Sequence, residues 1–361
     1  MIKDVKPIFN TQNTEWKTSA DSLILGQQPA LIDSINRKHP KLFNLYKRQK
    51  AVDWSEDEVD LAKSLLDFND CPEHLSDIMV ENISFQWETD SIAANSMLSL
   101  LAPVITNSDF SIAVTKNTEI ENLHALTYSE IVKLAIPNPD IVFDSIMGSS
   151  YISERNDSVT EQLTRFKWFS FKYALGEQEN NAEMYKESFL ALVAFYCLER
   201  LQFMSSFAYT FMVVEEDYFQ GIGKLVQKIM QDEYYHHAPT MRYAIKHEMF
   251  SERGMSCWAE NKEIIQELVD TVVKREYDWN AHIGYKSSLV NKWAEYNAQE
   301  IYDALMLDLP FNRHDVNPLP MMDKWLDIDS FQNANQEGDN NNYSLNSFRN
   351  DTPVGKKYNY Y

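Results

Sequence analysis

Glutamate followed three residues later by histidine occurs twice in this chain, at Glu121/His124 and Glu233/His236. A lone acid precedes each pair, Asp90 the first and Glu199 the second. Residues three apart on a helix share a face about one turn apart, so both members of a pair can reach one ion. Two such pairs and two further acids, brought together in a helix bundle, form a site of four carboxylates and two imidazoles. Four carboxylates in a core cannot all stay ionised without compensating charge, and two cations supply it. Mixed carboxylate and imidazole ligation suits iron or manganese; zinc is less expected without cysteine, and calcium avoids histidine. A chain with this Glu and His content contains about half of one such pair by chance, so the doubling carries the signal. His237, four residues from Glu233, is the competing ligand, but the repeated three-residue spacing favours His236.

Tyr128 lies one turn beyond His124 and two beyond Glu121, on the same helical face. A tyrosine beside an oxygen-activating metal pair can be oxidised, although a core tyrosine bonded to a carboxylate is the commoner arrangement for this spacing. Phe203 and Phe207 share the face of Glu199, and Ile229 stands one turn before Glu233. They suit either a dry sleeve around an oxidised Tyr128 or an ordinary core.

The elements that must position these groups read as helices. Hydrophobic residues make up 44% of the 361 and aromatics 13%, enough for a large core. Only 9 Gly and 12 Pro interrupt the chain, which favours long helices over an all-β fold. Helical periodicity runs over about 74–101, 109–135, 159–175, 182–209, 219–247, 261–281 and 287–306. Pro137 and Pro139 close the second of these. Ser55 and Glu58 stand in capping-box spacing and predict a further helix start after Trp54. The stretch 189–196 is hydrophobic throughout, so the Glu199 helix should be buried on most sides. The expected organisation is an arm over 1–35, an all-α bundle over 36–325 and a disordered tail over 326–361, where Asn, Gln, Asp and Gly dominate the stretch 332–342.

A net charge of −21 argues against nucleic acid and against an anionic membrane surface as partners. No apolar run reaches the roughly 20 residues that span a bilayer. No secretory leader pattern opens the chain, and three scattered cysteines without a C-x-x-C pair fit a reducing compartment. The expectation is a cytoplasmic protein. Nucleotide-binding glycine motifs are absent.

In order and spacing, Asp90, then Glu121-x-x-His124-x-x-x-Tyr128, then Glu199 and Phe203 to Phe207, then Asp232-Glu233-x-x-His236 closely resemble the small, radical-generating subunit of class I ribonucleotide reductase. The resemblance runs from about residue 20 to the C-terminus. It implies a ferritin-like helical fold and a dinuclear iron centre, with manganese the other option and dioxygen for its activation. It assigns Asp90, Glu121 and His124 to one metal and Glu199, Glu233 and His236 to the other, with Tyr128 as the stable radical. It identifies Trp54 as an electron-relay residue and Asp232 as the acid linking it to His124. Tyr343 becomes the tail tyrosine that passes the radical on. It also implies a homodimer and a large partner subunit docked through the C-terminal residues, where ribonucleoside diphosphates are reduced. Gln231 departs from the arginine common before the Asp-Glu pair, and the tail is more basic and aromatic than in bacterial relatives. A stand-alone ferritin-like oxidase or monooxygenase is the alternative; Trp54, Tyr128 and a Tyr-bearing tail speak against it.

Overall fold

Sparse helix breakers leave this chain in helices of up to 29 unbroken residues, and the longer Glu252–Ile283 segment is kinked at Asn261. The computed structural model describes residues 22–26, 31–35 and 37–328. Tyr343, nearly all of the expected tail and most of the expected arm lie outside the described residues. In chain order the helices are α1 (Pro40–Ala51), α2 (Ala62–Asp70), α3 (Glu73–Leu101), α4 (Ser108–Ala135), α5 (Asp140–Gly148), α6 (Ser150–Ala174), α7 (Ala182–Cys197), α8 (Phe203–Val214), α9 (Gln220–Asp232), α10 (Ala238–Met249), α11 (Glu252–Ile283), α12 (Ser287–Leu305) and α13 (Met321–Leu326). The first compact unit ends with α13. Among the described residues there is no sheet, only an isolated bridge between Ile24 and Ile105.

Four helix starts, those of α4, α6, α7 and α11, are set by side chains that accept otherwise unpaired backbone N–H groups. Asn107 accepts from Asp109 and Phe110 at the start of α4, and Asn181 from Met184 at the start of α7. Ser149 does the same for α6, which therefore begins well before the expected Val159. Between Trp54 and Asp60 the expected helix start is a turn instead. Ser55 N–H donates to Glu58 Oε1 at 3.0 Å, as in a capping box, but the Ser55 hydroxyl donates to Asp57 Oδ1 at 2.6 Å. That bond diverts it from capping.

Four rods enclose the centre: α3, α4, the α7–α8 rod and the α9–α10 rod. Rod α3 packs on α4 and α8, α4 on α9 and α10, and α10 on α7. Each of the last two rods carries a π turn, Leu198–Gln202 and Glu233–His237. There the N–H of Phe203 reaches back five residues to Leu198, and that of Ala238 to Glu233. Every residue of α7 from Met184 onward except Lys186, and every residue of α8, is buried. Burying each Phe of α8 in place of exposing it stabilises the fold by about 1.5–3 kcal/mol. Of the other helices, α6, α11 and α12 close over the outside of the α7–α8 rod.

Candidate metal centre

Each rod delivers one or two carboxylate or imidazole side chains to the centre of the core. Asp90 comes from α3, Glu121 and His124 from α4, Glu199 from the first π turn, and Glu233 and His237 from the second. All six are fully buried. Oxygen or nitrogen atoms of Asp90, Glu121, His124 and Glu233 lie within 4.8 Å of one another, as do those of Glu121, Glu199, Glu233 and His237. Glu121 and Glu233 belong to both groups.

Five of the six residues expected from spacing meet here, and His236 does not. Its ring faces Asp232, with Nδ1 3.5 Å from Oδ1. His237 takes the place beside Glu121 and Glu233, with Nδ1 2.6 Å from Glu121 Oε1 and 2.9 Å from Glu233 Oε2. The reason is local. A three-residue spacing aligns side chains on an α-helix, whereas the i→i+5 hydrogen bonding of a π turn widens the turn and brings the fourth residue onto the same face. Pro239 follows the turn after one intervening residue. It has no N–H to give and would crowd the carbonyl of Tyr235 in a regular helix, so the widened turn accommodates it.

Both oxygens of Asp90 and both of Glu199 have no protein hydrogen-bond donor, nor has Glu121 Oε2. Buried acceptors are rarely left so, and the missing partners fit cations. Four ionised carboxylates carry four negative charges, which two divalent ions neutralise while neutral imidazoles complete the ligation. Without cations, protons must do this. Burial first, and the neighbouring Glu121 second, push Asp90 well above the usual carboxylate range. Burial and Glu233 do the same to Glu199. Burial also raises Glu121. Burial opposes ionised Glu233 too, but His237 and His124 beside it outweigh that and hold it low. The imidazoles respond in the opposite sense. Burial alone would lower His237, yet Glu233 and Glu121 push it up to about 10. His124 rises because hydrogen bonds to Asp232 and Glu233 outweigh its burial.

A polar path leads outward from the cluster. His124 Nδ1 faces Glu233 Oε1 at 2.9 Å, while its Nε2 lies 3.3 Å from Asp232 Oδ2. That same oxygen accepts the indole N–H of Trp54 at 2.8 Å. The Trp54 and His124 rings stack with centroids 6.0 Å apart. Lys228, paired with Glu58, lies 5.6 Å from the half-buried Trp54 ring. On the other flank, Gln49 of α1 lies 2.7 Å from His237 Nε2. Spacing gave no sign of Gln49, because α1 contributes nothing else to the pocket.

Tyr128 is fully buried, and its hydroxyl has no hydrogen-bond partner. Burial, then the charges of Asp90, Glu233 and Glu121, push its phenol well above the ordinary value. Phe203, Phe207 and Ile229 are all fully buried in the same apolar core, and the two Phe rings stack at 5.9 Å. Gln231 donates to the carbonyl of Trp325 at 3.2 Å, a packing role that needs no charge.

The family described as ribonucleotide reductase, small chain, matches residues 32–318, a span that contains the whole cluster. The chain is 25% identical over 357 residues to ribonucleoside-diphosphate reductase 1 subunit beta of Escherichia coli O157:H7, covering 92% of this chain and 93% of that protein. It is also 25% identical to the ribonucleoside-diphosphate reductase subunit beta of Enterobacteria phage T4, covering 95% and 96%. Among solved structures, the ribonucleotide reductase R2 subunit from Clostridium botulinum superposes with a TM-score of 0.74 at 19% identity, over 89% of this chain and 98% of that one. The dimanganese(II)-NrdF of Streptococcus sanguinis gives 0.64 at 13% identity, over 82% and 99%. These likenesses show the ferritin-like R2 fold. With a family match across most of its length, this chain belongs to the ribonucleotide reductase small chain family.

Proposed function

We propose that this chain generates and stores a tyrosyl radical on Tyr128 and delivers it to a large ribonucleotide reductase subunit. The observation that carries the reading is the fully buried Tyr128 hydroxyl, without a partner, in the field of a four-carboxylate, two-imidazole cluster. Asp90, Glu121, His124, Glu199, Glu233 and His237 would hold two ions, iron or manganese. When bound, these ions supply one-electron oxidising chemistry driven by dioxygen.

The residues of the chain do the rest. Asp90 and Glu199 offer carboxylates that no protein group occupies. Tyr128 loses an electron and its phenolic proton, and the apolar surroundings that include Phe203, Phe207 and Ile229 keep water and reductants from the product. Asp232 orients His124 and holds the Trp54 indole, so the three form a continuous path for an electron between the surface and the cluster. Tyr343 and the residues after it serve as the docking tail in this reading, and a homodimer is the working assembly. The names of the relatives support ribonucleoside diphosphates as the partner's substrate. No described helix is long and apolar enough to cross a membrane. Three unpaired cysteines support a cytoplasmic setting.

The test is to load metal-free protein with ferrous iron, admit oxygen, and record the electron paramagnetic resonance spectrum beside a metal count. A tyrosyl signal with about two irons per chain supports the reading. Absence of the signal after loading with either iron or manganese overturns it.

A further inference from the structure

The two π turns are not supported alike. Pro239 accounts for the second. The first, Leu198–Gln202, contains neither Pro nor Gly, and its residues (Leu, Glu, Arg, Leu, Gln) are all good α-helix formers. Left to local preference it would close as ordinary helix, so something outside must hold it open.

Arg155 of α6 is placed to do so. Its Nη2 donates to the Gln202 carbonyl at 3.0 Å, and Gln202 Nε2 donates back to the Arg155 carbonyl at 2.7 Å. The guanidinium is itself fixed. Nε and Nη2 each donate to the Glu276 carboxylate at 2.7 Å, and its carbon lies 3.6 Å from the Phe85 ring centroid and 4.9 Å from that of Trp279. The side chains of Arg155 and Glu276 are both 0% exposed. A buried ion pair is a poor source of stability, because desolvation offsets its attraction and apolar residues of similar volume fill the space as well. What apolar residues cannot supply is the fixed direction of the guanidinium fork. The neighbouring Asn156 donates to Thr89 Oγ1 at 3.2 Å, and Thr89 directly precedes Asp90. Rod α6 therefore grips the chain beside two of the cluster's carboxylates.

We propose that Arg155, Glu276 and Gln202 are positioning residues that hold Leu198–Gln202 in its π form, so that Glu199 projects into the pocket. The inference rests on the two-metal reading of that pocket. It is separate from Tyr128 chemistry and needs no turnover to test.

The experiment titrates metal-free full-length protein with Mn(II) against a competing chelator, then records the electron paramagnetic resonance spectrum of the loaded pair. Three proteins are compared: the unaltered chain, Gln202→Leu, and the double variant Arg155→Met/Glu276→Leu. Gln202→Leu leaves the ion pair intact. The double variant removes both charges together and strands neither. In both, the weaker of the two ions should be held about 10- to 100-fold less tightly, and the coupled manganese spectrum should change. Unaltered affinity and spectrum in Gln202→Leu overturn the proposal, as does the same result in a folded double variant. If the unaltered chain binds no pair of ions, it is the two-metal reading that falls.

Discussion

Trp54 and His124 share one oxygen of Asp232: the indole N–H donates to Oδ2 at 2.8 Å and the imidazole Nε2 lies 3.3 Å away. Asp232→Ala strands both donors. Losing a hydrogen bond to a charged acceptor costs about 1.5–3 kcal/mol. Losing the partner that orients a ligating histidine weakens metal binding about 10- to 100-fold. Chelator competition on the purified variant should show that weakening. Unchanged affinity would mean that His124 is held by Glu233 alone.

Tyr128→Phe removes a hydroxyl that makes no hydrogen bond. Nothing is left unpaired by its loss, so the thermal midpoint should hold or rise, by up to about 1 kcal/mol of stability. Metal content should stay the same while the tyrosyl resonance disappears. A resonance that persists would move the radical to another tyrosine.

His236 and His237 can be separated directly. His237→Ala removes the imidazole that faces Glu121 and Glu233 and should lower the metal content, whereas His236→Ala should retain about two ions per chain. Metal analysis of the two variants side by side decides between the residues. The reverse outcome would restore the three-residue spacing.

Glu248 gives a pH signature. Its carboxylate accepts from Tyr185 Oη and the Leu23 N–H, each at 2.6 Å, and burial raises it above its ordinary value of 4.5. The folded chain therefore binds this proton more tightly than the unfolded chain. The associated stability is fully present below the unfolded value and is lost as pH rises through the folded one. Glu248→Gln removes that dependence. The midpoint of the variant relative to the unaltered chain should climb as pH rises from about 4.5 through the raised folded value; a constant difference would show that Glu248 titrates alike in both states.

The rods were legible because their apolar residues repeat with helical period and proline and side-chain caps mark their ends, as at Asn107 and Pro137. Asp90, Glu121, His124, Glu199 and Glu233 were legible as acids and a histidine set among apolar residues. The placement of His237 in the cluster, with His236 turned to Asp232, was not legible, because a sequence pattern presumes a constant turn and the turn from Glu233 to His237 is wider. Gln49, Arg155 and Glu276 reach the pocket or its supports from helices that carry none of the cluster's own side chains, so only the packing of those helices reveals them. Trp87 and Ile92 of α3 are only half-buried and line a cavity of about 700 Å³ between α3, α5 and α6. The face of α3 that carries Asp90 won the interior.

The two π turns also change what kind of sequence error the centre can tolerate. A π turn is a helix that has taken in one residue more than its hydrogen bonding requires. Deleting any single residue within Leu198–Gln202 would let the rod close as continuous α-helix, with every apolar side chain on one side still able to pack. Four α residues turn the chain about as far as the five widened ones do now, so the flanking helices would keep their faces, while Glu199, inside the altered turn, would lose its alignment with the partners it now faces. The fold could survive a deletion that its metal chemistry could not. In this chain, the length of two short segments is as much a functional property as the identity of the carboxylates they carry.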